Sequence, residues 1–262
     1  MLERIGKKEA KLSAHAPRSP VRVTANSTWD RLAPVYDLQL ALERAALEAA
    51  VKLVASRPEL RLLDLGTGTG AFLRKLAREP ARPNLAVGVD ASAEMLARVP
   101  SLPMGWSVQA ADVTDLPFGD SSFDVATAAY LLHLLEPSQL AKTLAEAKRV
   151  LGPAGRLVVV VPAAPSSILA RPYEAVANGL ARLGPLGGLR VIDPRPALRA
   201  AGFAIREERH VTRGYPSLIL ESEAGVPGQL RRQTDELTGR EQDAERDEER
   251  TRADADDPPV AP

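Results

Sequence analysis

Residues 62–70 read LLDLGTGTG, an apolar run that ends in three glycines at alternate positions. The apolar run predicts a buried strand, and the glycines predict a tight turn after it. The residues that follow, AFLRKLARE at 71–79, have the apolar spacing of a helix. In such a strand–turn–helix unit the glycine backbone approaches a ligand closely, and the helix N-terminus favours a negative group. The segment therefore predicts a ligand-binding turn in an α/β fold.

Strands and helices alternate along the rest of the chain. Strands are predicted at 60–66, 85–90, 106–112, 123–130, 155–162, 204–212 and 215–223, the last two as a hairpin around Gly214. Helices are predicted at 37–55, 71–79, 92–99, 138–151 and 194–203. The strand at 155–162 is β-branched almost throughout, which is typical of a strand buried on both faces. This alternation predicts a Rossmann-like, doubly wound and mostly parallel sheet.

Both ends of the chain differ in composition from the middle. Residues 1–25 carry six Lys or Arg against two Glu and lack a hydrophobic period, which predicts a mobile arm. Residues 226–262 carry eleven acidic residues against six Arg, with few large apolar side chains, which predicts a disordered charged tail. Residues 26–225 form the predicted domain. Within it, the Pro- and Gly-rich stretch 163–193 is interpreted as a substrate lid, with a structural connector as the alternative.

The composition excludes several kinds of site. The chain has no Cys, which excludes disulfides, thiolate metal sites and Cys nucleophiles, and its three His are far apart in the sequence. Lys plus Arg and Asp plus Glu both number 34, so the chain lacks the basic excess of a nucleic-acid-binding protein. The longest apolar run, 157–165, is too short to span a membrane, and the N-terminus does not resemble a secretory signal. We therefore expect a cytoplasmic protein with no metal and no nucleic-acid partner, and the sequence leaves its oligomeric state open.

Three Asp residues lie at or near the ends of predicted strands. Asp90 follows Gly70 by 20 residues and closes the second strand, where a carboxylate accepts hydrogen bonds from ribose hydroxyls. That spacing, with the G-x-G-x-x-A pattern of residues 66–71, also fits a nicotinamide dinucleotide. Asp64 favours a cofactor other than a dinucleotide, because a carboxylate at this position repels a pyrophosphate but attracts a cationic amine. Asp112 is placed where an adenine amino group can be read.

Four motifs carry a resemblance to a known family. DLGTGTG, VGVDAS, AADVTDLPFGDSSFDVA and KRVLGPAGRLVVVVP occur in the order and spacing of the class I S-adenosylmethionine-dependent methyltransferases. The chain resembles the small-molecule branch that includes the ubiquinone and menaquinone methyltransferases, and TWDRLAPVYD at 28–37 is similar to the N-terminal segment of that branch. The resemblance covers roughly residues 28–223. It implies a seven-stranded sheet with an antiparallel edge, and S-adenosyl-L-methionine as the cofactor.

The resemblance also implies which residues bind that cofactor. The glycine turn would lie under its methionine and ribose parts, Asp64 near its amino group, Asp90 on the ribose hydroxyls and Asp112 on the adenine amino group. An alternative role for Asp64 is to fix the turn by accepting hydrogen bonds from backbone N–H groups. The full implied set is Asp64, Gly66, Thr67, Gly68, Gly70, Asp90, Ala91, Met95, Asp112, Val113 and Ala128.

Residues 128–133, at the end of the fourth strand, would face the transferable methyl group. His133 is a candidate general base, because an imidazole titrates near neutral pH. The leucines on both sides of it favour a structural or pocket-lining histidine instead. Tyr36 is a candidate catalytic phenol, since its segment folds over the cofactor in the branch that the chain resembles, and core packing is the alternative. The apolar side chains of 163–193 predict a hydrophobic acceptor.

The predicted function is S-adenosylmethionine-dependent methyl transfer to a small, fairly apolar acceptor, at an O, N or C atom. An NAD(P)-dependent oxidoreductase is one alternative, although it would have no use for Asp112. A non-catalytic nucleoside-binding regulatory module, whose charged tail recruits a partner, is another. Binding of S-adenosylhomocysteine, binding of a nicotinamide cofactor and turnover on a panel of acceptors separate the three.

Overall fold

A computed structural model describes residues 33–54, 58–163 and 191–225, with side chains described from residue 42 onward. Its helices are α1 (Ala33–Val54), α2 (Ala71–Leu76), α3 (Ala93–Leu96), α4 (Pro137–Val150) and α5 (Arg195–Ala200), with a 3₁₀ turn at Leu132–Leu134. Its strands are β1 (Arg61–Leu65), β2 (Leu85–Asp90), β3 (Trp106–Ala110), β4 (Phe123–Ala129), β5 (Leu151–Pro162), β6 (Phe203–Val211) and β7 (Ser217–Ala224).

The seven strands form one sheet in the order β3-β2-β1-β4-β5-β7-β6. The first five of these are parallel to one another, whereas β7 is antiparallel to both β5 and β6. The predicted fold class, a doubly wound and mostly parallel sheet with an antiparallel edge, is confirmed. The strand order reverses between β1 and β4, and ligands of open α/β sheets bind outside the carboxyl ends of the strands at such a point.

The alternation of side chains along the central strands builds a core on each face of the sheet. In β1, Leu63 packs into one core and Leu62 into the other, and in β5 Val159 and Val158 divide in the same way. Helix α4 covers the first core and α1 covers the second. Because the central strands are apolar on both faces, they are held rigidly between helices and present their carboxyl ends at a fixed edge.

Two arginine–carboxylate pairs lie toward the opposite, amino end of the parallel strands. The Arg61 guanidinium donates to both oxygens of Asp124, through Nε at 3.0 Å and Nη2 at 2.8 Å, and the Arg61 backbone N donates to the same carboxylate at 2.9 Å. Arg156 of β5 donates to Glu221 of β7 at 2.6 Å. These contacts join β1 to β4 and β5 to β7, so they fasten neighbouring strands of the sheet.

The boundaries of β5 and of the short helices differ from those expected. Strand β5 begins at Leu151, directly after α4, and therefore includes Gly152 and Pro153, which lie between the predicted helix at 138–151 and the predicted strand at 155–162. Ala154 adopts a positive φ of 63°, and the β4–β5 register is irregular between Phe123 and Val125, which accommodates the extra residues as a bulge. Helices α2 and α3 are also shorter than the predicted 71–79 and 92–99.

Several sequence expectations concern parts of the chain that lie outside the described residues. They are the predicted arm at 1–25, the predicted tail at 226–262 and residues 164–190 of the predicted lid. Among the helices of the described ranges, none has both the length and the apolar character that crossing a membrane requires.

Candidate functional site

The glycine turn lies at the carboxyl end of β1. Gly66, Gly68 and Gly70 all have positive φ, at 65°, 55° and 72°, a region that side-chain-bearing residues rarely adopt. The turn is fixed by hydrogen bonds from Thr67 N to Val89 O and from Gly70 N to Thr67 O, both 2.9 Å. Its backbone therefore faces the carboxyl edge of the sheet in a conformation that the glycine spacing specifies.

Asp90 connects the end of β2 to this turn. Its Oδ2 accepts a hydrogen bond from Gly68 N at 2.8 Å, and its Oδ1 accepts one from Ser92 N at 2.8 Å. Both donors are neutral backbone groups, which orient the carboxylate beside the glycine turn. The carboxylate retains lone pairs for the two hydroxyls of a ribose.

Asp64 is buried directly beneath the turn, with 1% of its surface exposed. Its Oδ2 accepts a hydrogen bond from Thr67 Oγ1 at 2.7 Å, and its Oδ1 accepts one from Thr127 Oγ1, on the neighbouring strand, at 2.6 Å. Burial raises the pKa of the Asp64 carboxyl from 3.8 to about 6, although the two hydroxyl donors lower it, and the negative charge of Asp90 adds to the rise. The donors are the hydroxyls of Thr67 and Thr127, whereas the alternative role of Asp64 would use backbone N–H groups.

Asp112 follows β3 and caps a turn of its own. Its Oδ1 accepts from the backbone N and the hydroxyl of Thr114, both at 2.8 Å, and Asp115 N donates to the Asp112 carbonyl at 3.1 Å. Ala111 N donates to Asp90 O at 3.0 Å, which ties this turn to the end of β2. The half-buried Val113 lies within the same turn. Asp90, at the end of β2, and Asp112, just after β3, therefore lie at the same edge of the sheet.

The remaining predicted cofactor-binding residues divide by burial. Thr67 is buried under the turn, and a Cβ at Gly88 would lie 2.8 Å from its hydroxyl, so the absence of a side chain at Gly88 makes room for it. Met95 is half-buried and Ala91 is exposed, beside the N-terminus of α3, where Ser92 Oγ accepts from Met95 N at 3.2 Å. Ala128, in contrast, is 0% exposed and packs in the core.

The segment after β4 packs against the glycine turn. A Cβ at Gly66 would lie 2.8 Å from Leu131 Cδ1, so the leucine and the turn are in close contact. Tyr130 has a positive φ of 54°, a strained conformation for a tyrosine, and its backbone N donates to Val160 O at 2.8 Å. Backbone strain of this kind concentrates at functional sites.

A hydrogen-bonded chain links Tyr130 to the start of β7. Tyr130 Oη and Ser217 Oγ lie 2.7 Å apart, and Ser217 Oγ donates to the Tyr215 carbonyl at 2.8 Å. Because a serine hydroxyl has one proton and a carbonyl can only accept, the Tyr130 hydroxyl is the donor to Ser217. His133 is 3% exposed in the 3₁₀ turn, with its ring centroid 6.4 Å from that of Tyr130.

The structure thus brings the glycine turn, Asp64, Asp90, Asp112 and residues 130–133 to the carboxyl edge of the sheet. The backbone of Tyr36 lies in α1, but its side chain is outside the described part of the chain. Sequence reasoning missed Thr127 and Ser217. The signal for Thr127 was a hydroxyl inside an otherwise apolar strand, because a buried hydroxyl needs a hydrogen-bonding partner.

Comparisons with known proteins agree with this arrangement. A methyltransferase-domain family model matches residues 62–155. The chain is 34% identical over 145 residues to 2-phytyl-1,4-naphtoquinone methyltransferase of Trichormus variabilis, a match that covers 50% of this chain and 62% of that protein. It is 32% identical over 161 residues to the protein of the same name from Nostoc punctiforme, covering 56% of this chain and 68% of that one.

The fold is shared with solved structures. The crystal structure of magnesium protoporphyrin IX methyltransferase from Synechocystis PCC 6803, with bound S-adenosylhomocysteine, superimposes with a TM-score of 0.58 at 19% identity. The superposition covers 76% of this chain and 95% of that one. The family model and the curated relatives confirm the resemblance read from the motifs, and with it S-adenosyl-L-methionine as the cofactor. The chain belongs to the class I S-adenosylmethionine-dependent methyltransferases and resembles the quinone methyltransferases among them.

Proposed function

We propose that this protein transfers the methyl group of S-adenosylmethionine to a small, fairly apolar acceptor of the quinone or related aromatic class. The observation that carries the proposal is the set of three carboxylates around a left-handed glycine turn. Within the described ranges, no salt bridge reaches Asp64, Asp90 or Asp112. A cofactor with two cationic groups and a ribose fits such a site better than a pyrophosphate does.

Each carboxylate has a distinct role in the proposed site. Asp90 accepts hydrogen bonds from the ribose hydroxyls and at the same time holds the turn through Gly68 N. Asp112 accepts from the adenine amino group with its Oδ2, because its Oδ1 already serves the Thr114 hydroxyl and backbone N. Asp64 supplies negative charge beneath the methionine part of the cofactor, where two hydroxyls hold it in place.

The bound cofactor supplies an electrophilic sulfonium methyl group, so the protein has to align an acceptor with the sulfur–carbon bond. That bond breaks as the acceptor's electron pair forms the new bond to carbon, and S-adenosylhomocysteine leaves. The segment around Tyr130, Leu131 and His133 borders the glycine turn and therefore forms one wall of the acceptor site. His133 and Tyr36 remain candidates for removing a proton from the acceptor.

The acceptor class rests on the relatives and on the apolar composition of the predicted lid. The chain matches 62% of the length of the Trichormus variabilis relative, whose name specifies a phytylated naphthoquinone. The family model matches residues 62–155, which contain the cofactor motifs, and residues 163–193 lie beyond that range. The proposal therefore extends to the aromatic class and leaves the acceptor atom to experiment.

The cofactor is tested by calorimetric titration of the full chain with S-adenosylhomocysteine, and with NAD and NADP in parallel. We expect micromolar binding of S-adenosylhomocysteine alone. Binding of a nicotinamide cofactor, or silence from all three, would overturn the proposal. The activity is tested with S-adenosylmethionine labelled in its methyl group and a panel of reduced naphthoquinones and phenols. Cofactor binding without transfer to any acceptor of the panel would favour a non-catalytic module instead.

A further inference from the structure

Arg149, in the last turn of α4, contacts a loop that lies outside its own helix. Its Nη1 donates to the Phe118 carbonyl at 2.7 Å, and its Nη2 donates to the Leu116 carbonyl at 3.1 Å. Its Nη1 also donates to Asp120 Oδ1 at 2.9 Å. A cation in this position complements the helix dipole, but that role requires no contact with a loop. One planar guanidinium therefore holds residues 116–120 at three points.

Glu146 completes the attachment one turn earlier in the same helix. It accepts from Arg149 Nε and Nη2, both at 2.7 Å, and its Oε2 also accepts from the Leu116 backbone N at 2.7 Å. Both backbone polar groups of Leu116 are thus bonded to α4. Arg149 holds the pKa of the Glu146 carboxyl below its usual value, which keeps the pair ionised at neutral pH.

The attached loop begins at Asp112. Asp115 N donates to the Asp112 carbonyl, and an isolated bridge pairs Asp112 with Asp115 immediately before Leu116. On the other side, the ring of Phe118 packs edge-on against Phe123 with 4.9 Å between centroids, which fixes the loop to the start of β4. The orientation of the Asp112 carboxylate therefore depends on a turn that is anchored one residue later by Glu146 and Arg149.

We propose that Arg149 and Glu146 are positioning residues for adenine selectivity, because they hold the Asp112 turn in the orientation that reads the adenine amino group. The inference rests on the proposed function, since it takes Asp112 to be the adenine-reading residue. Neither side chain touches the cofactor in this assignment. Their effect is on the placement of Asp112, and Arg is required rather than Lys because a single ammonium cannot donate in the planar, multidentate geometry used here.

The test compares S-adenosylhomocysteine with S-inosylhomocysteine, in which an oxygen replaces the adenine amino group. Calorimetric affinities for both are measured with the full chain and with Arg149→Lys and Glu146→Gln. Arg156→Lys is the matched control, because Arg156 is as buried as Arg149 (side chains 29% and 32% exposed) and also bonds a carboxylate and a carbonyl. The control pair lies away from the Asp112 turn. Thermal melts of each variant accompany the titrations.

The wild type is expected to prefer S-adenosylhomocysteine by about tenfold or more, since the inosine analogue offers no amino donor to Asp112 Oδ2. In Arg149→Lys and Glu146→Gln the preference is expected to fall to about threefold or less. Arg156→Lys is expected to keep the wild-type preference even if its melting temperature falls. Glu146→Gln retains an oxygen for Leu116 N, so it preserves the fold if Arg149→Lys does not.

Three results would overturn the inference, and they have different meanings. Retained selectivity in both folded variants would show that the Asp112 turn is held without α4, while the proposed function stands. Wild-type binding without selectivity would remove Asp112 from adenine recognition. Absence of any S-adenosylhomocysteine binding by the wild type would overturn the proposed function itself.

Discussion

The carboxylates at the two ends of the parallel strands have different hydrogen-bonding partners. Toward the amino end, Asp124 and Glu221 are each paired with an arginine, Arg61 and Arg156. At the carboxyl end, Asp64, Asp90 and Asp112 accept hydrogen bonds from backbone N–H groups and threonine hydroxyls. Pairing with arginine neutralises an acid and fastens two strands. Pairing with neutral donors orients an acid and leaves its charge to act on a ligand.

This difference separates structural acids from binding acids within one sheet. Replacing a structural acid should lower the free energy of unfolding and leave ligand affinity unchanged, whereas replacing a binding acid should weaken ligand affinity. The distinction is more informative than position alone, because all five residues lie on strands of the same sheet or directly after one.

The largest effect is expected from Asp124→Ala, at the amino end. It removes the acceptor of both a guanidinium and a backbone N–H, and the Arg61 side chain that is left behind is only 15% exposed. The free energy of unfolding should fall by about 2–3 kcal/mol, below the range for fully buried pairs because Asp124 is about a third exposed. Urea unfolding measures the loss. Affinity of the folded variant for S-adenosylhomocysteine should stay within about twofold, and a larger change would erase the distinction between the two ends.

Asp90→Ala is the reciprocal test at the carboxyl end. Loss of a charged acceptor for buried ribose hydroxyls should weaken binding of S-adenosylhomocysteine by about 1–3 kcal/mol, or roughly fivefold to 150-fold. Calorimetry measures the change, with Asp124→Ala as the control, because Asp124 is paired with Arg61 at the amino end of the strands. Unchanged affinity in a folded Asp90→Ala protein would remove Asp90 from the site.

Asp64 should make the free energy of unfolding depend on pH. Its pKa is about 6 in the folded protein against 3.8 for an ordinary Asp. A raised acid pKa stabilises the fold fully below about pH 4, and this stabilisation is lost as the pH rises through 6. The loss between pH 5 and pH 7 should be about 1 kcal/mol, and it should be absent from Asp64→Asn. Urea unfolding of both proteins at the two pH values isolates Asp64, because other groups titrate alike in each. If the free energy of unfolding changes equally with pH in the wild type and in Asp64→Asn, the pKa of Asp64 is not raised by burial.

The smallest effect concerns a neutral hydrogen bond at the carboxyl end. Tyr130→Phe removes the hydroxyl that donates to Ser217 and should cost about 1 kcal/mol of unfolding free energy. Ser217→Ala should cost a similar amount, and the double variant should cost less than the sum because both changes remove the same bond. Strict additivity in the double-mutant cycle would show that the two hydroxyls are not coupled.

The sequence predicted the architecture well because apolar periodicity and glycine spacing are local signals. All seven strands lie within a few residues of their predicted ranges, and the acids at the ends of β2 and β3 lie at the edge where the motifs put them. The start of β5 was missed because Gly-Pro is a strong signal for ending a helix, whereas pairing of Leu151 with Phe123 extends the strand. Tertiary pairing overrode the local preference.

What the sequence could not supply are the partners of polar side chains. Arg149 lies in a predicted helix, and the loop it binds lies about 30 residues away in sequence. Thr127 lies in a predicted strand, and its bond to Asp64 depends on the β1–β4 register, which joins residues 63 positions apart. Such contacts depend on which elements become neighbours in the fold, and the local patterns of a single sequence do not predict this.

The insertion of β7 between β5 and β6 has a consequence for how the chain is made. As synthesis proceeds from the N-terminus, β5 can pair with β4 on one side as soon as it is made. Its other edge stays unpaired until β7 (Ser217–Ala224), the last strand of the sheet, is synthesised. Until then the valine-rich edge of β5 exposes unpaired backbone groups to any other nascent strand. Strand β6 is made earlier, and in the described sheet it pairs with β7 alone. A ribosome that pauses before residue 217 therefore holds a five-stranded sheet with an open β5 edge, and the eight residues of β7 cover that edge and join β6 to it.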